Sequence, residues 1–138
     1  KKFPFNVTLH KILKSDDPIY HDHPWPYMTI ILKGGYYEHT PIFNSEGKII
    51  ADIQRWRGPG SIIYRKANEY HWLEMDPDVG PATTLFFMGP QQRDWGFLVN
   101  KTKKKQQWIQ WENYLENYKG YHKQFIEPKV MAMNKKKD

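Results

Sequence analysis

His21-Asp-His-Pro-Trp-Pro-Tyr-Met-Thr-Ile-Ile-Leu-Lys-Gly-Gly-Tyr-Tyr-Glu-His-Thr40 is the stretch that decides the fold. Its second half reads as a hairpin. Tyr27–Lys33 is rich in β-branched, aromatic and long apolar residues, the Gly34-Gly35 pair supplies a tight turn, and Tyr36–Thr40 resumes the pattern. Its first half holds His21 and His23 two residues apart. On an extended strand such residues project from the same face, so the two imidazoles would point together.

The same grammar continues outward. Asn6–Leu13 reads as a strand before this hairpin. Lys48–Gln54, Ser61–Arg65, His71–Met75, Thr83–Met88 and Trp95–Val99 follow it, separated by turn residues such as Asn44–Gly47, Gly58–Gly60 and Asp76–Asp78. Short strands at roughly 8–12-residue spacing predict an all-β sandwich or barrel. After Lys105 the period changes. Trp108, Trp111, Leu115 and Tyr118 recur at steps of three and four, which predicts an amphipathic C-terminal α-helix over about 107–119. The reading is therefore one domain over residues 1–126 that includes this helix, with residues 127–138 as a flexible tail.

Composition bounds the function. At 138 residues the chain is long enough for one sizeable core, and 16% aromatic residues make that core ring-rich. Cysteine is absent, so any metal site in this chain must use histidine, carboxylate or water. The net charge of +6 invites a nucleic-acid reading, but the excess sits in two lysine runs, Lys101–Lys105 and Lys135–Lys137. Such runs are usually solvated, and no nucleic-acid partner is expected. No apolar run approaches the ~20 residues that cross a bilayer, and no membrane partner is expected. A cytoplasmic location is the default expectation.

A third histidine, His71, lies near the end of a second segment that starts at Gly60. An isolated His-x-His is often an ordinary surface feature. The order and spacing of both segments are more specific, because they resemble the paired motifs of the cupin superfamily. In the first motif Ser15 stands where the family has Gly, His21 and His23 fall in register, Tyr27 takes the place of Glu, and Gly34 closes the pattern. In the second, Gly60 matches, Lys66 replaces Pro, Asn68 replaces Gly, His71 falls in register, and Met75 replaces Asn. Gly89-Pro-x-x-Arg93-x-Trp-Gly-Phe97 is also similar to small single-domain cupins.

The resemblance implies a double-stranded β-helix, the cupin or jelly-roll barrel, around a divalent metal ion held by His21, His23 and His71. Fe, Zn, Mn and Ni all suit imidazole or mixed nitrogen and oxygen donors. Tyr27 replaces the fourth ligand of the full motif. Glu38 and His39 are therefore the candidate additional ligands, and alternation lets only one of them face the interior. Tyr27, Trp25, Arg65 and Arg93 are candidate pocket or substrate-binding residues. Asp22 should point away from the two histidines, as a turn or surface carboxylate, and His10 reads as an ordinary surface or packing residue. A three-histidine site without a carboxylate carries higher net charge and favours an anionic ligand. The expected function is metal-dependent action, oxygenase-like or isomerase-like, on a small polar or anionic molecule. The alternative is a non-catalytic small-ligand binder whose metal is vestigial or structural. Exposed sheet edges need cover, so a homodimer is expected.

Overall fold

The structure, a computed structural model, describes residues 6–102, 105–117 and 129–134. The hairpin forms as its sequence predicts. Strand β2 (Tyr27–Lys33) buries Tyr27, Thr29 and Ile31 in strict alternation, and β3 (Tyr36–Phe43) buries Tyr36 and Glu38 in the same phase. Gly34 adopts φ 74°, and a Cβ there would overlap the carbonyl oxygen of Pro81, so the turn requires glycine.

Around this hairpin two four-stranded sheets assemble. One has the order β1 (Asn6–Ile12), β7 (Ala82–Met88), β2, β5 (Ile62–Arg65), all antiparallel. The other has the order β10 (Lys129–Asn134), β4 (Ile49–Arg57), β3, β6 (Trp72–Glu74), in which β10 runs parallel to β4. Strands β8 (Gly96–Thr102) and β9 (Lys105–Gln110) form a separate hairpin that leads into helix α1 (Trp111–Asn117). Ile31, Ile63 and Ala82 from the first sheet meet Tyr36 from the second, with Ile12, Leu73 and Met75 packed around them. A smaller cluster of Ile19, Ile109, Tyr114 and Phe97 seats the hairpin and helix on the barrel. The architecture is all-β with one short C-terminal helix.

The C-terminal expectations need correction. Residues 107–110 are strand, because Trp108 and Ile109 pair with Leu98 and Phe97. The three-and-four spacing of Trp108, Trp111 and Leu115 is therefore not a helical stripe. The helix buries Tyr114 and leaves Leu115 49% exposed, and Tyr118 lies outside the described residues. Residues 129–134 form β10 where a flexible tail is predicted, and the rest of 127–138 lies outside the described residues.

Candidate metal centre

His21 and His71 are tied together by backbone. Each N–H donates to the other residue's carbonyl, at 3.0 and 3.1 Å, in an isolated antiparallel bridge. The His23 N–H donates to the Ala67 carbonyl at 3.0 Å, which joins the His-x-His segment to the turn before His71. Alternation turns both rings inward and sends Asp22 the other way. Asp22 is not at the surface, however. It is fully buried, and it accepts from the Gly96 N–H at 2.8 Å, from the Trp108 indole at 3.0 Å and from the Arg93 guanidinium. It thereby pins the β8–β9 hairpin behind the two histidines.

The three rings form a near-equilateral triangle. Their centroids lie 5.1 Å (His21–His23), 4.9 Å (His21–His71) and 5.0 Å (His23–His71) apart. One ring nitrogen from each lies within 4.8 Å of the others. Burial, and then the charge of His71, pushes His21 down to about 3. Burial, followed by the charges of His71 and His21, pushes His23 to about 2. Both imidazoles are thus neutral near pH 7, the form that ligates metal. His23 Nδ1 is buried with no hydrogen-bond partner, a cost that a coordinated ion would relieve. The donor set and this orphaned nitrogen fit a divalent cation.

Glu38 and His39 divide between the two faces of β3. Glu38 turns inward, and its Oε2 accepts from His71 Nδ1 at 2.9 Å. Arg57 and Arg65 donate to its Oε1 at 2.9 and 2.6 Å. Burial pushes the Glu38 carboxyl up, but the hydrogen bond and charge of His71 and the Arg65 guanidinium outweigh it, and the group sits well below the usual carboxylate range. Its place is behind His71, as an orienting partner on Nδ1, so that Nε2, 3.2 Å from the Tyr27 hydroxyl, is the nitrogen left to ligate. His39 turns outward and takes no part in the cluster. It stacks on Trp72 at 3.7 Å and bonds Asp52 at 2.5 Å and Glu74 at 2.9 Å, while the Tyr20 hydroxyl donates to Asp52.

The rings open into a cavity of about 200 Å³. Trp25 and Tyr27 line it, as the sequence predicts. The Tyr27 hydroxyl lies 3.2 Å from both ring nitrogens of His71, and burial followed by the Glu38 charge raises its pKa well above the ordinary tyrosine value. Arg65 and Arg93 do not line it, against expectation. Arg65 is committed to Glu38, with Glu69 at 3.6 Å, and Arg93 to Asp22, with its guanidinium 5.7 Å from the Trp108 ring. Among the wall residues that escaped the sequence reading are His10, stacked on Phe86 at 5.0 Å, and Asp16, Tyr36 and Thr84. Asp16 is buried enough to raise its pKa, although the Leu73 N–H donates to it. Strand alternation was the signal for His10, Thr84 and Phe86, but it required knowing which phase faces inward.

Two β-sheets closing on an interior His-x-His and a third histidine from a facing segment form a double-stranded β-helix. The fold is cupin-like. Among solved structures, similar folds occur in a conserved protein with a double-stranded beta-helix domain from Klebsiella pneumoniae (16% identity, 68% of this chain and 74% of that one, TM-score 0.46). An RmlC-like cupin protein from Ralstonia eutropha is similar at 19% identity over 91% of this chain and 71% of that one, with TM-score 0.45. Hydroxypropylphosphonic acid epoxidase from S. wedmorenis, solved with fosfomycin, is similar at 11% identity and TM-score 0.46. There the match takes in 62% of this chain but only 43% of the epoxidase. The likeness is one of fold. No protein-family model matches the sequence, and no curated protein matches it. Among the described residues, no helix is long and apolar enough to cross a membrane.

Proposed function

We propose that this cupin-like chain holds one divalent metal on His21, His23 and His71 and acts on a small molecule bound beside it. One observation carries the reading: three imidazoles converge at the wall of one pocket, one of them with a buried nitrogen that nothing else satisfies. The pocket holds about seven water volumes, which sets the ligand at a few heavy atoms. A bound ion would polarise an oxygen of that ligand as a Lewis acid. With both arginine candidates already paired, the histidine-bound cation is the feature that favours a carboxylate or other anionic oxygen.

The chain's own groups have separable tasks. Glu38 holds the His71 ring in place. Tyr27 stays protonated, so its O–H can donate to a ligand oxygen. Asp16 places a carboxyl at the cavity wall, its pKa raised by burial. Trp25 and Phe86 exclude water from one side. These parts support an oxygenase-like or isomerase-like reaction. The test is oxygen uptake by the Fe(II)-loaded protein across a panel of small hydroxy and keto acids. Substrate-dependent uptake supports an oxygenase, and product formation without uptake supports an isomerase. Failure of every acid to bind the metal-loaded protein contradicts the proposal.

A further inference from the structure

A second space lies beyond the Arg65–Glu38 ion pair, an open groove of about 550 Å³ between strands β3 and β4 and the turn at 66–70. Glu38 lines the metal cavity and Arg65 lines the groove, so this pair stands between the two. Charge does not balance in this corner of the barrel, where Arg55, Arg57, Arg65 and Lys66 meet two carboxylates, Glu38 and Glu69. Register places Arg55 directly across from Glu38. The Glu38 oxygens, however, are already taken by Arg57, Arg65 and His71. Glu69 accepts from the Lys66 N–H at 2.9 Å and stands 3.6 Å from Arg65 Nη1, just beyond hydrogen-bond range. Among the described residues, no carboxylate pairs with the Arg55 guanidinium or the Lys66 ammonium.

We infer that this groove is a second ligand site, for a small phosphate monoester that carries a planar ring. The two unmatched cations fit a dianion, and a monoester phosphate carries about −1.5 to −2 charges near pH 7. Its three oxygens suit a guanidinium fork and an ammonium together. A lone carboxylate would leave one cation unmatched. The ring follows from Phe43 and Tyr70, which line the groove and meet edge to face, with centroids 6.2 Å apart and planes at 62°. Phe43 is 40% exposed, so the two rings form an apolar corner that a third ring can cover. The groove falls within the ~300–1,000 Å³ of small-molecule sites, whereas the metal cavity, at about 200 Å³, is too small for such an ester. A neighbouring groove shares Lys66 and Asn68 but is less suited, because its arginine, Arg93, is held by Asp22. None of the three histidines lines the ester groove, so the inference stands apart from the metal reading. Aryl phosphates and nucleoside monophosphates share the chemistry it requires.

Isothermal titration calorimetry of the full chain with phenyl phosphate, adenosine monophosphate, benzoate and inorganic phosphate is the test. At least one of the two esters is expected to bind one to one, about 10-fold more tightly than benzoate or inorganic phosphate. A preference for phenyl phosphate assigns an aryl phosphate, and a preference for adenosine monophosphate assigns a nucleotide. Arg55→Gln and Lys66→Gln are each expected to weaken the ester by about 10-fold. Lys66 is exposed on a turn, so Lys66→Gln gives this readout even where Arg55→Gln fails to fold. Phe43→Thr keeps β propensity and is expected to bring the ester down to the affinity of inorganic phosphate. Lys33→Gln, at an exposed lysine outside the groove, is expected to change nothing. Metal-free and metal-loaded chains are expected to bind alike. Failure of both esters to bind, equal affinity for inorganic phosphate, or full affinity in Lys66→Gln overturns the inference. So does loss of binding when metal is removed, which would place the ester in the inner cavity.

Discussion

Glu38→Gln separates the two tasks of the interior carboxylate. Glu38 is 2% exposed and serves three donors, His71, Arg57 and Arg65. Glutamine keeps the shape and one acceptor but removes the charge that faces Arg57 and Arg65, leaving Arg65 with only Glu69 at 3.6 Å. Removing one partner of a buried ion pair costs about 3–5 kcal/mol. The Arg57 and Arg65 side chains retain 16% and 18% exposure and so keep some access to water, which places the loss near the lower bound, about 3 kcal/mol. For a chain of this size that is a fall of roughly 10 °C in Tm. Separately, His71 loses the acceptor that orients its ring, a change that typically weakens metal affinity by about 10–100-fold. Thermal melts in the presence of chelator read the first effect, and competition against a chromophoric chelator for Co(II) or Zn(II) reads the second. A lowered Tm with wild-type metal affinity would refute the orienting role. An unchanged Tm would refute the buried ion-pair reasoning.

Other outcomes follow from the same geometry. Gly34→Ala should destabilise by about 2–4 kcal/mol, because it adds a backbone clash to the ~1–2 kcal/mol cost of a positive φ. Gly47→Ala, at φ 78° with open space around it, should cost only the second part, and urea midpoints distinguish the two. His39 behaves as a pH-dependent tie. Burial alone would lower its pKa, but Asp52 and Glu74 outweigh burial and raise it. The stability it contributes is therefore fully present below its unfolded value of about 6.5 and is lost as pH rises through the folded value. His39→Gln should cost most near pH 6 and least near pH 9. A penalty that does not change with pH would contradict the ion-pair assignment.

The hairpin at Gly34-Gly35 and the first eight strands were legible because alternation and turn chemistry agree there. The inward phase of the His-x-His pair was legible for the same reason. Local pattern failed where long-range partners decide. Trp108 and Ile109 sit in a strand because Leu98 and Phe97 pair with them across the β8–β9 hairpin, and three-and-four spacing cannot report that. Asp22 looked like a surface residue because its partners Arg93, Gly96 and Trp108 lie more than 70 positions away. Arg65 and Arg93 read as substrate binders because sequence shows a free guanidinium and hides the carboxylate that holds it. The choice between Glu38 and His39 was reduced to one bit, and only the packing of β3 between β4 and β6 supplied it.

Metal content of the purified chain, measured by elemental analysis beside His71→Ala, tests the central claim most directly. About one equivalent of a divalent transition metal per wild-type chain, lost in His71→Ala with the fold retained, is the expected result. A metal-free wild type that takes up no added divalent ion, or a variant that keeps its full complement, would contradict it.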